Sequence, residues 1–476
     1  MGTGRMGLAL TEEYLKQLKI VQDEIGFRYI RGHGIFSDDV AIYHEYEENG
    51  TVKTEYNYTY LDRIFDSFKK LHIRPFLELG FMPEKLASGK QTIFYWKGNV
   101  TPPKDYAVWT DMTVSLLKHL RERYGDVVLE FPVEVWNEPN LPGFWQNADM
   151  DEYFRLFGET FTAIKEYDKR FKVGGPAICG VNDREWTTKF LEYCRDRSIK
   201  PDFITRHHYT VEFPVHDGHY DYSELQDPDE RMSTLQATRD IIDSFEEFRD
   251  LPIHITEFNT SYTPEGVIHD TNLNAAYIAE QLSRLGDMNE SYSYWTFGDV
   301  FEERGVPFAP FYGGFGLLAN GCIPKPTFRT FSFYKKLKLF GSGCVLKDRT
   351  AVIVRSGRGY AGILWNTGDE AFTREFEFPA DFSEYVLITY TADEECCDPL
   401  KIWHDLGEPR SLSESTAELL RNAAKPLIRS EIIGVSDGKA LAEITVGKHG
   451  VVYFELIERV FTPDRGYDYE KVLSYR

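Results

Sequence analysis

Apolar positions along the first 338 residues switch repeatedly between two periods. Residues 11–25 put Tyr14, Leu18, Val21 and Ile25 on one helical face, behind Thr11 as N-cap and Glu12 and Glu13 in the first turn. FRYIRGH (27–33) then reads as a strand. Helix 59–71, with Leu61, Ile64, Phe68 and Leu71 at helical spacing, leads into strand IRPFLELGF (73–81). Helix 105–123 precedes strand PVEVWN (132–137), and helix 151–167 precedes KVGGPAI (172–178). The rhythm continues through helix 184–196 and FITRHHY (203–209), then helix 230–248 and IHITEFN (253–259). Helix 272–286, strand SYSYWTF (291–297) and helix 326–338 close the series.

Strands alternating with amphipathic helices imply parallel βαβ units. Seven strands and eight helices are legible. An eight-stranded barrel needs one more strand before the first helix, which GTGRMGL supplies only as a stub, so the first strand reads as truncated. A doubly wound open sheet ranks lower, because no glycine-rich phosphate loop follows an early strand. After about residue 340 the period becomes two, in 344–369, 375–393 and 439–460, with one helix at 410–424. The expected fold is therefore α/β: a (β/α)₈ TIM barrel over 1–339, followed by an antiparallel β-sandwich over 340–476.

Composition narrows the partners. A net charge of -22 disfavours nucleic acid and anionic membranes and leaves a neutral substrate unopposed. No apolar run approaches the roughly 20 residues that cross a bilayer. The N-terminus shows no basic segment followed by an apolar one, and six cysteines (179, 194, 322, 344, 396, 397) have no metal spacing, so a reduced cytoplasmic protein is expected.

The strand ends are unusually polar: Arg31-Gly-His33, Asn137-Glu138, Arg206-His207-His208-Tyr209, Glu257-Phe258-Asn259 and Trp295. In a barrel these ends share one rim, where active sites lie. Packing needs none of them, and a buried unpaired carboxyl is costly. Each alone reads more readily as a cap, a surface group or core packing; together they point to chemistry. No HExxH motif is present, and consecutive His207 and His208 face opposite sides of a strand, so no metal is expected. A serine nucleophile elbow is also missing. Two glutamates across one pocket suit glycoside hydrolysis, one carrying a proton and the other ionised.

EVWNEPN and HITEFNTSY resemble the signature of the large clan of retaining glycoside hydrolases with (β/α)₈ barrels. RYIRGHG, RPFLELGFMP, FYWKGNVTPPKDY, VGGPAICG, LNAAYIA, SYWTFGDVFEE and GGFGLL more narrowly resemble glycoside hydrolase family 39, in particular its bacterial β-xylosidases. That resemblance implies Glu138 as acid/base, Glu257 as nucleophile, and Asn137 as a hydrogen-bond partner of the sugar 2-OH. It places Tyr209 and His207 beside the nucleophile, His33 and Glu303 on outer hydroxyls, and Phe94, Phe144 and Trp295 as apolar walls. It implies a retaining, exo-acting β-xylosidase that needs no cofactor, acts on short xylo-oligosaccharides and assembles as a homotetramer. Family members usually carry some further residues ahead of GTGR, so a seam in the barrel or an unpaired sandwich edge is expected there. The alternatives are another family-39 glycosidase such as an α-L-iduronidase, which needs basic groups for its carboxylated sugar, or a catalytically weak carbohydrate-binding protein.

Overall fold

The computed structural model describes residues 1–474. Eight strands form one parallel sheet in the order of the chain: β1 (Gly2–Arg5), β2 (Tyr29–His33), β3 (Arg74–Leu79), β4 (Val133–Val135), β5 (Val173–Ile178), β6 (Phe203–Tyr209), β7 (Ile253–Asn259) and β8 (Ser291–Tyr294). The helices that cross between them are α1 (Glu12–Glu24), α2 (Thr59–Lys70), α3 (Tyr106–Tyr124), α4 (Met150–Tyr167), α5 (Asp183–Asp196), α6 (Pro228–Ser244), α7 (Asn272–Arg284) and α8 (Pro326–Phe340). Strand order that follows sequence order is the (β/α)₈ barrel. The stub GTGR is its first strand, paired in parallel with β2. Between β8 and β1 no continuous ladder runs. The ring closes there through the Phe297 N–H donating to Gly2 O at 3.1 Å, with Gly2 packed so close to Trp295 that any side chain would collide with the indole.

Local chemistry explains half of these helix starts. Asp105, Asp149, Asp227 and Thr271 each accept backbone N–H groups with the side chain. Thr11 takes the cap position of α1 but caps nothing; its hydroxyl donates back to Leu8 O at 2.7 Å.

The second unit is antiparallel: β9 (Gly343–Lys347), β10 (Ala351–Ser356), β11 (Gly359–Trp365), β12 (Phe372–Pro379), β13 (Glu384–Ala392), β14 (Leu427–Ser436), β15 (Lys439–Val446) and β16 (Val451–Glu458), with helices α9 (Pro399–Asp405) and α10 (Glu414–Ala423). The expected sandwich is a single eight-stranded sheet that folds over on itself. Phe376, Phe378, Ala442 and Ile444 of one limb thereby meet Tyr360, Leu387 and Phe454 of the other. Strand β14 escaped the sequence reading because most of it is exposed on both faces and shows no alternation. Strand β11 is buried along its whole length. Its inner face joins the folded sheet, and its outer face packs Ala361, Ile363 and Trp365 against Ala275, Ala276 and Ala279 of α7 and Phe333 and Leu337 of α8.

Candidate active site

The polar residues noted above meet at the C-terminal end of the barrel because two strands break their own alternation there. In β4, Glu134 faces the barrel axis; the chain then swings through Trp136 (φ 74°) and Glu138 (φ 42°). Left-handed backbone at L-residues costs about 1–2 kcal/mol each. Neighbours hold it: the Trp136 N–H donates to Leu79 O (3.2 Å), the Glu138 N–H to Ala177 O (2.9 Å), and Trp136 Nε1 to Phe144 O (2.8 Å). Trp136 is thereby seated against Trp145 and Phe81, and Asn137 and Glu138 turn inward. In β7 the register against β6 slips, with Arg206 opposite Ile255 but His207 opposite Glu257. The extra residue is a β-bulge, and it lets consecutive residues Thr256 and Glu257 both reach the interior.

Arg31 is the hub. Its guanidinium, 1% exposed, donates to Glu134 Oε2 (2.6 Å), Glu257 Oε1 (2.8 Å) and Asn137 Oδ1 (2.8 Å), and lies 3.0 Å from Glu78 Oε2. Burial alone would lower its pKa, but Glu134, Glu78 and Glu257 raise it on balance, so it stays charged. The second oxygen of Glu257 accepts from Tyr209 Oη at 2.7 Å. Both oxygens of this carboxylate are thus held by donors. His33 stands between, its Nδ1 2.7 Å from Glu78 Oε2 and its Nε2 3.7 Å from Glu257 Oε1.

Glu138 has the opposite environment. It has no cation in contact, and burial raises its pKa to about 7, with Glu78 adding and His33 and Arg31 opposing. Its Oε1 lies 2.7 Å from His207 Nδ1. Burial, helped by Arg31 and His33, lowers His207 to about 3, so the ring is neutral. A neutral imidazole serves a carboxyl in either state, accepting or donating according to tautomer. Oxygens of Glu138 and Glu257 and a ring nitrogen of His207 all lie within 4.8 Å of one another. Those three atoms are spaced as ligands of a divalent ion would be, but the guanidinium of Arg31, 2.8 Å from Glu257 Oε1, already supplies positive charge there.

All ten residues singled out in the sequence line one cavity of about 520 Å³. Phe94 stacks on His33 with ring centres 5.6 Å apart, Trp295 tilts against the same ring at 4.6 Å, and Phe144 meets Phe94 edge-on. At the outer edge the half-buried carboxyl of Glu303 is raised to about 8 by desolvation and then by Glu257. His208 turns away from the cavity centre toward Gln281 Oε1 at 3.3 Å, as strand alternation requires. Sequence reasoning saw Arg31 only as a polar strand end and missed Glu78 and Glu134. Their signal was a charged residue inside an otherwise apolar core strand, in LEL and VEV.

The family model of Glycosyl hydrolases family 39 matches residues 1–344. The chain belongs to that family. A β-xylosidase of Geobacillus stearothermophilus is 47% identical to it over 466 residues, covering 96% of this chain and 91% of the relative. Two solved structures agree: a family-39 enzyme from Xanthomonas axonopodis pv. citri (30% identical, 96% of this chain and 93% of that one, TM-score 0.87) and a monomeric β-xylosidase from Caulobacter crescentus (32%, 97% and 96%, TM-score 0.86). Membership makes the chain a glycoside hydrolase built on the barrel described above. The monomeric relative lends no support to the expected tetramer. Among the described residues, no helix is long and apolar enough to cross a membrane.

Proposed function

We propose that this family-39 enzyme is a retaining β-xylosidase that removes xylose from the non-reducing end of short xylo-oligosaccharides. The observation that carries the reading is a pair of carboxyls within 4.8 Å whose environments differ, Glu138 keeping its proton to about pH 7 and Glu257 clamped by Arg31 and Tyr209. A separation near 5 Å suits direct attack on the anomeric carbon; inverting enzymes need room for a water between. Glu257 attacks C1 while Glu138 protonates the departing oxygen. Glu138, now ionised, then takes a proton from the water that releases xylose. Arg31 holds Asn137 Oδ1, which leaves the amide N–H₂ of Asn137 to donate to the sugar 2-OH. Every residue that lines the cavity lies between His33 and Phe315, so catalysis falls to the barrel and support to the folded sheet. The name and 47% identity of the Geobacillus relative support xylose over an iduronide.

Following the anomer released from xylobiose by NMR tests this directly. The β-anomer is expected first, and initial release of the α-anomer sinks the double displacement. With Glu138→Ala and an aryl xyloside, whose leaving group needs no proton, azide is expected to restore turnover and yield the β-xylosyl azide; full activity of that variant on xylobiose removes Glu138 from its role.

A further inference from the structure

Glu138 follows β4 and Glu257 lies near the end of β7, so the two carboxyls divide the barrel ring into two arcs. The arc from β8 through β1 to β3 carries Trp295, His33 and Phe94, the walls that enclose the reacting sugar. The other arc holds β5, β6 and the start of α6, and the same cavity extends into it, lined by Val181, Arg206, Phe213, Gln226 and Arg231. Asn140, two residues past Glu138, donates to Val181 O at 2.7 Å and ties this wall to the loop that carries the acid/base. With Trp295, His33 and Phe94 given to the reacting sugar, this arc is the part of the cavity left for the leaving group that Glu138 protonates.

Three arginines line the cavity, and two are spoken for. Arg206 pairs with Asp183 at 3.2 Å and Arg304 with Glu265 at 2.5 Å. The side chain of Arg231 makes no ion pair or hydrogen bond among the described residues, and its Nε is buried without a partner. Beside it, Gln226 donates through Nε2 to the exposed carboxylate of Glu212 at 2.9 Å, which fixes the amide and turns Oε1 inward, also buried and unpartnered. The two Nη groups of Arg231 are neither paired nor closed off, so they are free to make charge-assisted hydrogen bonds to an incoming carboxylate. In a chain of net charge -22 an unpaired arginine facing a pocket is conspicuous. Phe213, 90% exposed at the mouth, offers an apolar face for a sugar ring.

We propose that this arc is a leaving-group subsite for a uronic acid, with Arg231 binding its carboxylate and Phe213 covering its ring. The preferred substrates are then xylosides of acidic sugars as well as neutral xylo-oligosaccharides. This rests on the xylosidase reading above and names the leaving group of the same site.

The test compares β-xylosyl-(1→4)-glucuronic acid with the same disaccharide as its uronamide. In the wild type the ratio of kcat/KM, acid over amide, is expected to be about tenfold, the scale of a charge-assisted hydrogen bond. Added salt lowers it, Arg231→Gln brings it to about one, and Arg231→Lys keeps part of it. A wild-type ratio of one or less, or a ratio unchanged in Arg231→Gln, overturns the subsite, as does cleavage of xylobiose with neither xylosyl-uronate accepted. A wild type that cleaves none of the three overturns the xylosidase reading instead. In that event an NMR titration with methyl β-glucuronoside decides the subsite: binding that Arg231→Gln abolishes upholds it, and no binding overturns it.

Discussion

The rim of the barrel and the folded antiparallel sheet bury side chains by opposite rules. In β15 the burial alternates without a fault, with Ala440, Ala442, Ile444 and Val446 inward and their neighbours exposed. The core it joins packs Phe376, Phe378, Leu387, Phe454 and Leu456. At the barrel rim Arg31, His33, Glu78, Glu134, His207 and Glu257 are all buried to 4% exposure or less, and β4 and β7 depart from alternation just where the carboxyls enter. One guanidinium there faces three carboxyls, with Glu138 close by. A low-dielectric site with more carboxyls than cations holds protons that water would remove. The apolar sheet contributes stability at little risk; the rim trades stability for a proton kept in place.

Exchanging Arg31 for methionine breaks the comparison most sharply. It leaves Glu134, Glu257 and Glu78 buried without their cation, a loss of about 3–5 kcal/mol where one partner of a buried pair is removed. Urea unfolding of Arg31→Met is expected to show that loss, and turnover is expected to fall by at least about 10³-fold because Glu257 and Asn137 lose their positions. Phe454→Ala in the folded sheet serves as the counterpart. Phe454 is fully buried against Phe376 and Phe378, so its truncation is also expected to destabilise by about 3–5 kcal/mol. Its kcat below the unfolding temperature should stay within about twofold of the wild type. A matching fall in kcat would mean that the sheet shapes the site as well as supporting it.

Glu138 sharpens the contrast through pH. Its value near 7 is raised, so it carries its proton below that pH and loses it above. Since the acid must donate, kcat/KM on xylobiose is expected to decline as pH rises through about 7. Glu138→Gln should remove that limb and slow xylobiose cleavage by about 10²–10⁴-fold, with far less effect on an aryl xyloside whose leaving group needs no proton. Glu303, raised to about 8, is another group of this cavity in range. If Glu303→Gln abolishes the limb and Glu138→Gln spares it, the assignment of the proton is wrong.

The alternation of periods made the barrel legible, and polar strand ends made its catalytic rim legible, because both are patterns of neighbouring residues. What escaped were consequences of three-dimensional closure. Arg31 is one residue in RYIRGH, and nothing local shows that it reaches carboxyls on three other strands. The alternation rule, applied to IHITEFN, puts Glu257 on the face opposite Thr256; only pairing with β6 reveals the bulge that brings both inside. The left-handed turn at Trp136 is likewise hidden, since neither Trp nor Glu favours it and the bonds that impose it come from Leu79 and Ala177. Arg231 looks in the sequence like any charged residue early in a helix.

The smallest effect comes from the bulge itself. Thr256 Oγ1 donates to Glu134 Oε1 at 2.9 Å, the oxygen that Arg31 does not take. Burial, with Glu78 adding, already raises the pKa of Glu134 against the pull of Arg31. Thr256→Val keeps the shape and deletes the donor, leaving one buried acceptor unserved at about 1–2 kcal/mol. Part of that loss is relieved if Glu134 takes up a proton, which in turn weakens its hold on Arg31. The expected result is a midpoint shift of that size in urea and a fall of a few-fold in kcat with KM nearly constant, because the change reaches the substrate only through Arg31 and Glu257. Thr256→Ser, which restores the hydroxyl, should recover most of both. If valine is as stable and as fast as the wild type, the irregularity in β7 matters for aiming Glu257 alone, and the buried carboxyl beneath it is indifferent to its second oxygen.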